Sequence, residues 1–300
     1  MRARVIETIE EIRAEVARAR SSGRSVGLVP TMGALHDGHA KLVARARARD
    51  ATDLVVTTIF VNPTQFGPNE DFSRYPRTLD ADVTLATSAG ADSIFVPSIE
   101  AIYPPGRPRT FVEVPGLSDI LEGASRPGHF RGVATVVLKL FNIVGPDFAY
   151  FGAKDFQQLA VLRAMAADLD LPIRVVGFDT VREADGLAMS SRNRYLDPEE
   201  RRAAVVLSRA LRAAAAAVSG GERSADRIRQ ILVETIESEP RATLDYAEVA
   251  DAESLARLET LDPGREAVAL LAARVGPARL IDNALLRLDA GPSDGPVATS

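Results

Sequence analysis

Cysteine is absent from the 300 residues, which excludes structural disulfides, thiolate zinc sites and a catalytic thiol. Long apolar runs are absent too, since none approaches the ~20 residues a membrane helix requires. The opening stretch MRARVIETIEEIRAEV is interspersed with acids and carries no apolar signal core. A cytoplasmic protein with no membrane partner is therefore expected. Lysine is nearly missing: Lys41, Lys139 and Lys154 are the three among 36 basic residues. A general preference for arginine explains most of that bias. Against it, a retained lysine can mark a place where a compact ammonium does what a guanidinium cannot. Histidine is as scarce, at His36, His39 and His129. Excess positive charge is lacking as well, and a net charge of −5 gives no support for a nucleic-acid partner.

What the chain does contain is an ordinary globular composition, 46% hydrophobic and 26% charged, and a length that suits two domains. Residues 8–20 carry a capping-box pattern, Thr8 with Glu11, and Ile9, Ile12, Val16 and Ala19 recur on one helical face. The nearly all-apolar run 25–30 reads as a strand covered on both faces, followed by a helix over 39–49. Strands at 54–61, 92–97, 147–152 and 173–181 alternate with helices at 78–90, 132–144 and 154–169. This alternation predicts an α/β domain over residues 1–185, a doubly wound parallel sheet of the Rossmann-like kind. Beyond it, Asp197 with Pro198 and Glu200 opens a helix that runs to Gly220-Gly221. A second helix at 224–238 and strands at 244–249, 267–275 and 278–286 predict a smaller α+β domain over 186–290. Residues 291–300 read as a disordered tail.

The strongest chemical signal is the strand–turn–helix junction from Pro30 to His39, PTMGALHDGH. It lies at the C-terminal end of a strand, where open α/β sheets bind ligands, and the N–H groups of the following helix favour phosphate. His36 and His39 are three apart and share one side of the first turn. Two imidazoles there can donate hydrogen bonds to phosphate oxygens as charge develops on a leaving pyrophosphate. Gly38 between them removes a side chain where a ligand must approach. Zinc ligation by the pair is disfavoured, because no cysteine is available and a helix N-terminus prefers anions.

A second junction, Phe151-Gly152-Ala153-Lys154-Asp155, also ends a strand. Lys154 would place a point charge on phosphate. Asp155 reads equally well as a helix N-cap. Of Gln157 and Gln158, at least one is expected to face the cleft, where a neutral amide can orient a carboxylate or hydroxyl. At the domain boundary, Met189-Ser190-Ser191-Arg192-Asn193-Arg194 offers hydroxyls and guanidiniums that could close over a triphosphate. The loops Phe60–Phe66 and Arg126–Arg131 are less decisive. The first is placed as a substrate loop or a polar turn, and the second, with His129 between Arg126 and Arg131, would hold an anion or cap the site.

His36-Asp37-Gly38-His39 with the late Ser190-Ser191-Arg192 loop looks like the paired HIGH and KMSKS motifs of the nucleotidyltransferase superfamily. The ordered strings VPTMGALHDGH, IFVNPTQF, YPRT, LEGASRPGHFRGV, FGAKDFQQL and GLAMSSRNRYL together resemble the pantothenate synthetase family, over about residues 5–288. That resemblance implies ATP-dependent condensation of pantoate with β-alanine through a pantoyl adenylate, with AMP and pyrophosphate released. It implies catalytic roles for His39, matching the residue usually assigned as proton donor, for His36 and for Lys154. The implied ATP-binding positions are Met32, Gly33, Ala34, Leu35, His36, Asp37, Gly38, His39, Gly152, Ala153, Lys154, Asp155, Val181, Met189, Ser190, Ser191 and Arg192. Gln65 and Gln158 match pantoate-binding positions, with Gln65 also near β-alanine. Mg2+ accompanying the triphosphate, a homodimer formed through the N-terminal domain, and a C-terminal domain closing over the site are implied as well.

Two positions depart from the family pattern. Ala153 stands where Gly-Glu-Lys-Asp is common, so an acid's role there does not carry over, and Thr64 stands where methionine is frequent. Two rival readings remain open: a nucleotidyltransferase acting on a phosphate ester, which would line its site with more cations, and a nucleotide-sensing scaffold that has lost chemistry. The glutamines argue against the first, and the retained histidines, Lys154 and SSR loop against the second.

Overall fold

The computed structural model describes residues 2–48, 52–68, 70, 72–104 and 109–288, so the expected tail lies outside the described residues. The chain divides into two compact units, Met1–Arg182 with Met189–Ser191, and Glu183–Ala188 with Arg192–Ser300.

In the first unit the elements run β1 (Arg4–Ile6), α1 (Ile9–Ser21), β2 (Val26–Thr31), α2 (Asp37–Ala48), β3 (Leu54–Ile59), α3 (Leu79–Ser88), β4 (Ser93–Phe95), α4 (Ile99–Ile102), α5 (Glu122–Ser125), α6 (His129–Val144), β5 (Phe148–Gly152), α7 (Phe156–Asp168) and β6 (Arg174–Phe178). The strands form one sheet in the order β1-β4-β3-β2-β5-β6, and every pairing is parallel. Helices cover both faces. Ile12 and Val16 of α1, Val133 and Leu140 of α6, and Leu162 of α7 build one core, while Leu42 and Val43 of α2 with Val83 of α3 build the other. Burial on both sides explains why β3 is buried at all six positions, its two threonines included.

The expected α1 forms with its cap, the Thr8 hydroxyl accepting from the Glu11 N–H at 3.2 Å. Strand β1 was not legible in the sequence. Three residues carry no alternation, and only pairing with β4 along one edge makes them a strand. Helix α6 starts at His129, earlier than its apolar run suggests, because Gly128 adopts φ 80 at the cap. Where α6 passes the 62–66 loop, a Cβ at Gly132 would overlap the Thr64 carbonyl, so glycine is needed for that approach.

The second unit holds α8 (Pro198–Ala203), α9 (Val206–Ser219), α10 (Ala225–Glu237), β7 (Ala242–Asp251), β8 (Ala267–Val275) and β9 (Ala278–Leu286). The single helix expected from Asp197 to Gly220 is therefore two, with a break at 204–205. Its start is as expected: the Asp197 carboxylate accepts from the Glu199 and Glu200 N–H groups at 2.7 Å each. Leu207, Leu211, Ile228, Leu232 and Ile236 pack with Val249 and Leu271 in one apolar cluster over the antiparallel β7-β8-β9 sheet.

Candidate active site

The chain steps from β2 outward through β3 to β4, then returns to place β5 on the other side of β2. Two βα turns therefore leave the carboxyl ends of β2 and β5 in opposite directions. Such a reversal opens a crevice that binds ligands in open α/β sheets. Met32–His39 follow β2, and Ala153–Asp155 follow β5.

The first turn is held open by a group that sequence reading missed. Gly33 and Ala34 both have positive φ, 81 and 51. The Asp82 carboxylate, on α3 and 2% exposed, accepts from the Ala34 N–H at 2.9 Å and the Leu35 N–H at 2.7 Å. The Thr78 hydroxyl donates to it at 3.1 Å. A signal did exist: Asp82 occupies the buried stripe of α3 shared with Val83 and Ala86, where an acid needs a partner. Asp82→Ala should strand two buried N–H groups, costing about 2–5 kcal/mol of stability, and denaturant unfolding measures it. A loss below ~1 kcal/mol would show that the turn holds itself.

Past that turn the backbone sets the state of both imidazoles. The Gly38 N–H donates to His36 Nδ1 at 3.1 Å, and the His36 N–H donates to His39 Nδ1 at 3.4 Å. With each Nδ1 accepting, the ring proton of a neutral imidazole sits on Nε2. The rings lie 4.1 Å apart between centroids. Burial pushes His39 from 6.5 down to about 3, His36 and Lys154 add to the fall, and Asp155 opposes it. His39 thus stays neutral and presents an Nε2–H donor beside the His36 ring. Packing also calls for glycine at 38, since a Cβ there would come within 2.9 Å of the His36 ring.

At the β5 turn, Lys154 pairs with Asp155 at 3.6 Å, and both lie close enough to His39 to act on its charge. Asp155 stands at the N-cap position of α7 but makes no side-chain capping bond. Gln157 does not face a cleft. It is 3% exposed, donates to the Leu117 and Ile120 carbonyls at 2.7 and 2.8 Å, and accepts from the Glu122 N–H at 3.0 Å. Gln158, half-buried, takes no part in holding that loop. A Cβ at Gly152 would meet no described atom within 4 Å, so packing does not demand glycine there. Ala153 packs against the α6–α7 core.

Of the late motif, Met189, Ser190 and Ser191 belong to the first unit and Arg192 to the second. The Met189 N–H donates to the Val181 carbonyl at 2.9 Å, and its Cβ lies 3.6 Å from where a Gly38 Cβ would be. These contacts bring Val181 and Met189 to the His36–His39 turn. The expected loop is a short 3-10 helix over Ser191–Tyr195.

The loop after β3 is a hydrogen-bonded platform. Asn62, 1% exposed, accepts from Tyr103 Oη at 2.7 Å and from Thr64 Oγ1 at 2.9 Å. Its amide donates to the Gly132 carbonyl at 3.2 Å and to Gln65 Oε1 at 3.0 Å. Gln65 Oε1 is therefore occupied, and its NH2 points to Met32 Sδ at 3.2 Å. Sulfur is a weak acceptor, so Gln65 offers donors to a ligand oxygen. Arg126 is not a free anion holder. It forks onto Glu70 at 2.7 and 2.6 Å, while Arg131 pairs with Glu113 at 3.4 Å.

Comparison with known proteins decides what this arrangement belongs to. The family model for pantoate-beta-alanine ligase matches residues 4–285. The pantothenate synthetase of Pelotomaculum thermopropionicum is 57% identical over 283 residues, covering 94% of this chain and 98% of the relative. The chain belongs to the pantoate-beta-alanine ligase family. A crystal structure of pantothenate synthetase from Thermus thermophilus shares 46% identity at a TM-score of 0.88, covering 95% of this chain and 99% of that one. The family's ligase from Francisella tularensis, crystallised with beta-gamma ATP and beta-alanine, shares 33% identity at 0.74, covering 94% and 97%.

Two of the three histidines of this family member are held neutral in the fold, with a consequence for stability. His39 titrates at about 3 and His129, lowered by burial and then by Arg126, at about 4, against 6.5 for a free side chain. The unfolded chain takes up their protons as pH falls through 6.5, and the folded chain does not until about 4 or lower. Unfolding thus binds protons in that window, and stability falls with falling pH by up to ~1.4 kcal/mol per unit for each histidine. Unfolding midpoints between pH 4.5 and 7 should drop less steeply in His129→Asn than in wild type; equal slopes would remove His129 as a source.

Proposed function

We infer that this chain condenses pantoate with β-alanine, using ATP, to give pantothenate, AMP and pyrophosphate. The observation that carries the chemistry is the convergence of the β2 and β5 turns, where His36, His39 and Lys154 gather at one crevice. A pantoate carboxylate oxygen attacks the α-phosphorus, and the bond to pyrophosphate breaks. Negative charge grows on the leaving oxygen, and the two Nε2–H donors with the Lys154 ammonium meet it without reorganising. The β-alanine amine then attacks the acyl carbon, the bond to AMP breaks, and the amine gives up a proton. Gln65 and Gln158 orient pantoate, and the NH2 of Gln65 suits a carboxylate or hydroxyl oxygen. ATP lies along Met32–His39, Gly152–Asp155, Val181 and Met189–Ser191.

Mg2+ travels with the triphosphate in this reading. Among the described residues no cluster of three or more His, Asp or Glu could cage a metal, but Mg2+ in phosphate sites leans on substrate oxygens with one or two carboxylates. Asp155, 51% exposed beside Lys154, offers one. The enzyme works as a homodimer through its N-terminal unit and in the cytoplasm. Among the described residues no helix is long and apolar enough to cross a membrane.

Pyrophosphate–ATP exchange with and without pantoate, followed by AMP release on adding β-alanine, tests the reading. Exchange should require pantoate. Exchange that ignores pantoate, or none with any acid, would overturn the assignment.

A further inference from the structure

Beside the Gln65 platform lies a chain of side chains that the reaction as described leaves unused. Glu70 receives Arg126 Nε and Nη2 at 2.7 and 2.6 Å. Arg126 Nη1 stands 3.0 Å from His129 Nε2, and His129 Nδ1 stands 2.9 Å from the Gln65 carbonyl oxygen. Arginine and a carbonyl leave one protonation pattern. A guanidinium can only donate, so Nε2 accepts, and a carbonyl can only accept, so Nδ1 carries the proton. Burial and the neighbouring Arg126 charge keep the ring from taking a second proton until about 4. Burial pushes the Glu70 carboxyl up, but Arg126, the Gly67 N–H and His129 together hold it below its ordinary value, so the ion pair at the far end stays charged.

The links close a ring. From Gln65 the chain returns at Glu70, and Arg126 with His129 bridges Glu70 back to the Gln65 carbonyl. Arg126 and His129 flank the glycine cap of α6, so the clamp ties the segment after β3 to the start of that helix. The Gln65 backbone is gripped by His129 while its side-chain Oε1 is gripped by Asn62. Gripped at both ends, the amide keeps its donors turned toward Met32 and the crevice.

We propose that His129, bridging the Arg126–Glu70 ion pair to the Gln65 carbonyl, is a positioning residue for the acid substrate, acting through Gln65 without touching the substrate itself. The inference rests on Gln65 as the pantoate-binding amide. It places specificity for the acid partly in residues more than sixty positions along the chain from that amide.

Steady-state kinetics in pantoate and in ATP, with the full-length enzyme, test it. Losing the shortest of the bonds to the Gln65 carbonyl, which Arg126 Nη2 reaches only at 3.5 Å, should raise the pantoate KM of His129→Ala about tenfold, with the ATP KM within about twofold. His129→Asn keeps an N–H donor near the Nδ1 position and should restore most of the pantoate KM, whereas His129→Leu should not. If His129→Ala fails to fold, the Asn and Leu variants carry the comparison. In a Gln65→Ala background the His129→Leu change should add little, because residues acting through one another are not additive. A pantoate KM near wild type in His129→Leu, an Asn variant no better than Leu, or full additivity would each overturn the proposal. The reading of Gln65 fails separately: it is wrong if Gln65→Ala alone leaves the pantoate KM unchanged.

Discussion

His39→Ala should slow formation of the acyl adenylate by more than ~10²-fold in a single turnover, the scale of losing one donor aimed at developing charge. The structure narrows how that loss arises. His39 is neutral in the free protein, with its Nδ1 accepting from the His36 backbone and its proton on Nε2. On the proposed reading it should act first as an N–H donor, and an arriving triphosphate should then favour the protonated form by bringing negative charge alongside. The pH profile of kcat/KM for ATP reports the free enzyme, so His39 should add no inflection near 6.5, since burial holds it at about 3. His39→Asn, which offers a donor on a shorter reach, should recover little. Near-normal turnover in His39→Ala would mean the two strand-end turns do not form the adenylation site.

Lys154→Ala should have an effect of the same order, more than ~10²-fold on adenylation, with β-alanine attack on preformed adenylate far less affected. The ammonium stands 3.6 Å from Asp155 with its side chain 18% exposed. It is poised at the crevice and partly shielded from water, which strengthens its field on a phosphate. Lys154→Arg tests the scarcity of lysine directly. In a chain where all but three of the 36 basic residues are arginine, a lysine retained here implies that a point charge fits and a planar fork does not. The arginine variant should recover less than a tenth of the lost rate by this reasoning, at least about 1.4 kcal/mol short of full transition-state binding. A fully active arginine variant would return Lys154 to compositional drift. Single-turnover measurement of acyl-adenylate formation, separated from product release, reads both results.

Much of this site could be read before any coordinates. Two scarce histidines at one strand end and a scarce lysine at another marked the crevice, because a helix N-terminus following a buried parallel strand favours anions wherever it occurs. Local signals also named the caps at Thr8 and Asp197. Other groups stayed hidden because their meaning depends on contacts distant in sequence. Asp82 went unread because its partners, the Ala34 and Leu35 N–H groups, lie nearly fifty residues earlier. Gln157 and Gln158 were interchangeable as adjacent amides, and the helix rotation alone buried one against the 117–122 loop. Arg126 read as an anion holder because Glu70, its partner, lies 56 positions away.

What the sequence determined by itself was the alternation of strands and helices, the two-unit organisation and the kind of chemistry at the strand ends, all written in short-range patterns of apolar spacing, capping and glycine. Tertiary structure alone decided the strand order that sets β2 beside β5, the tautomers of the three histidines and which polar side chains are already occupied. Those depend on which distant backbone groups arrive with a donor or an acceptor, and a buried polar atom takes whichever partner the fold delivers.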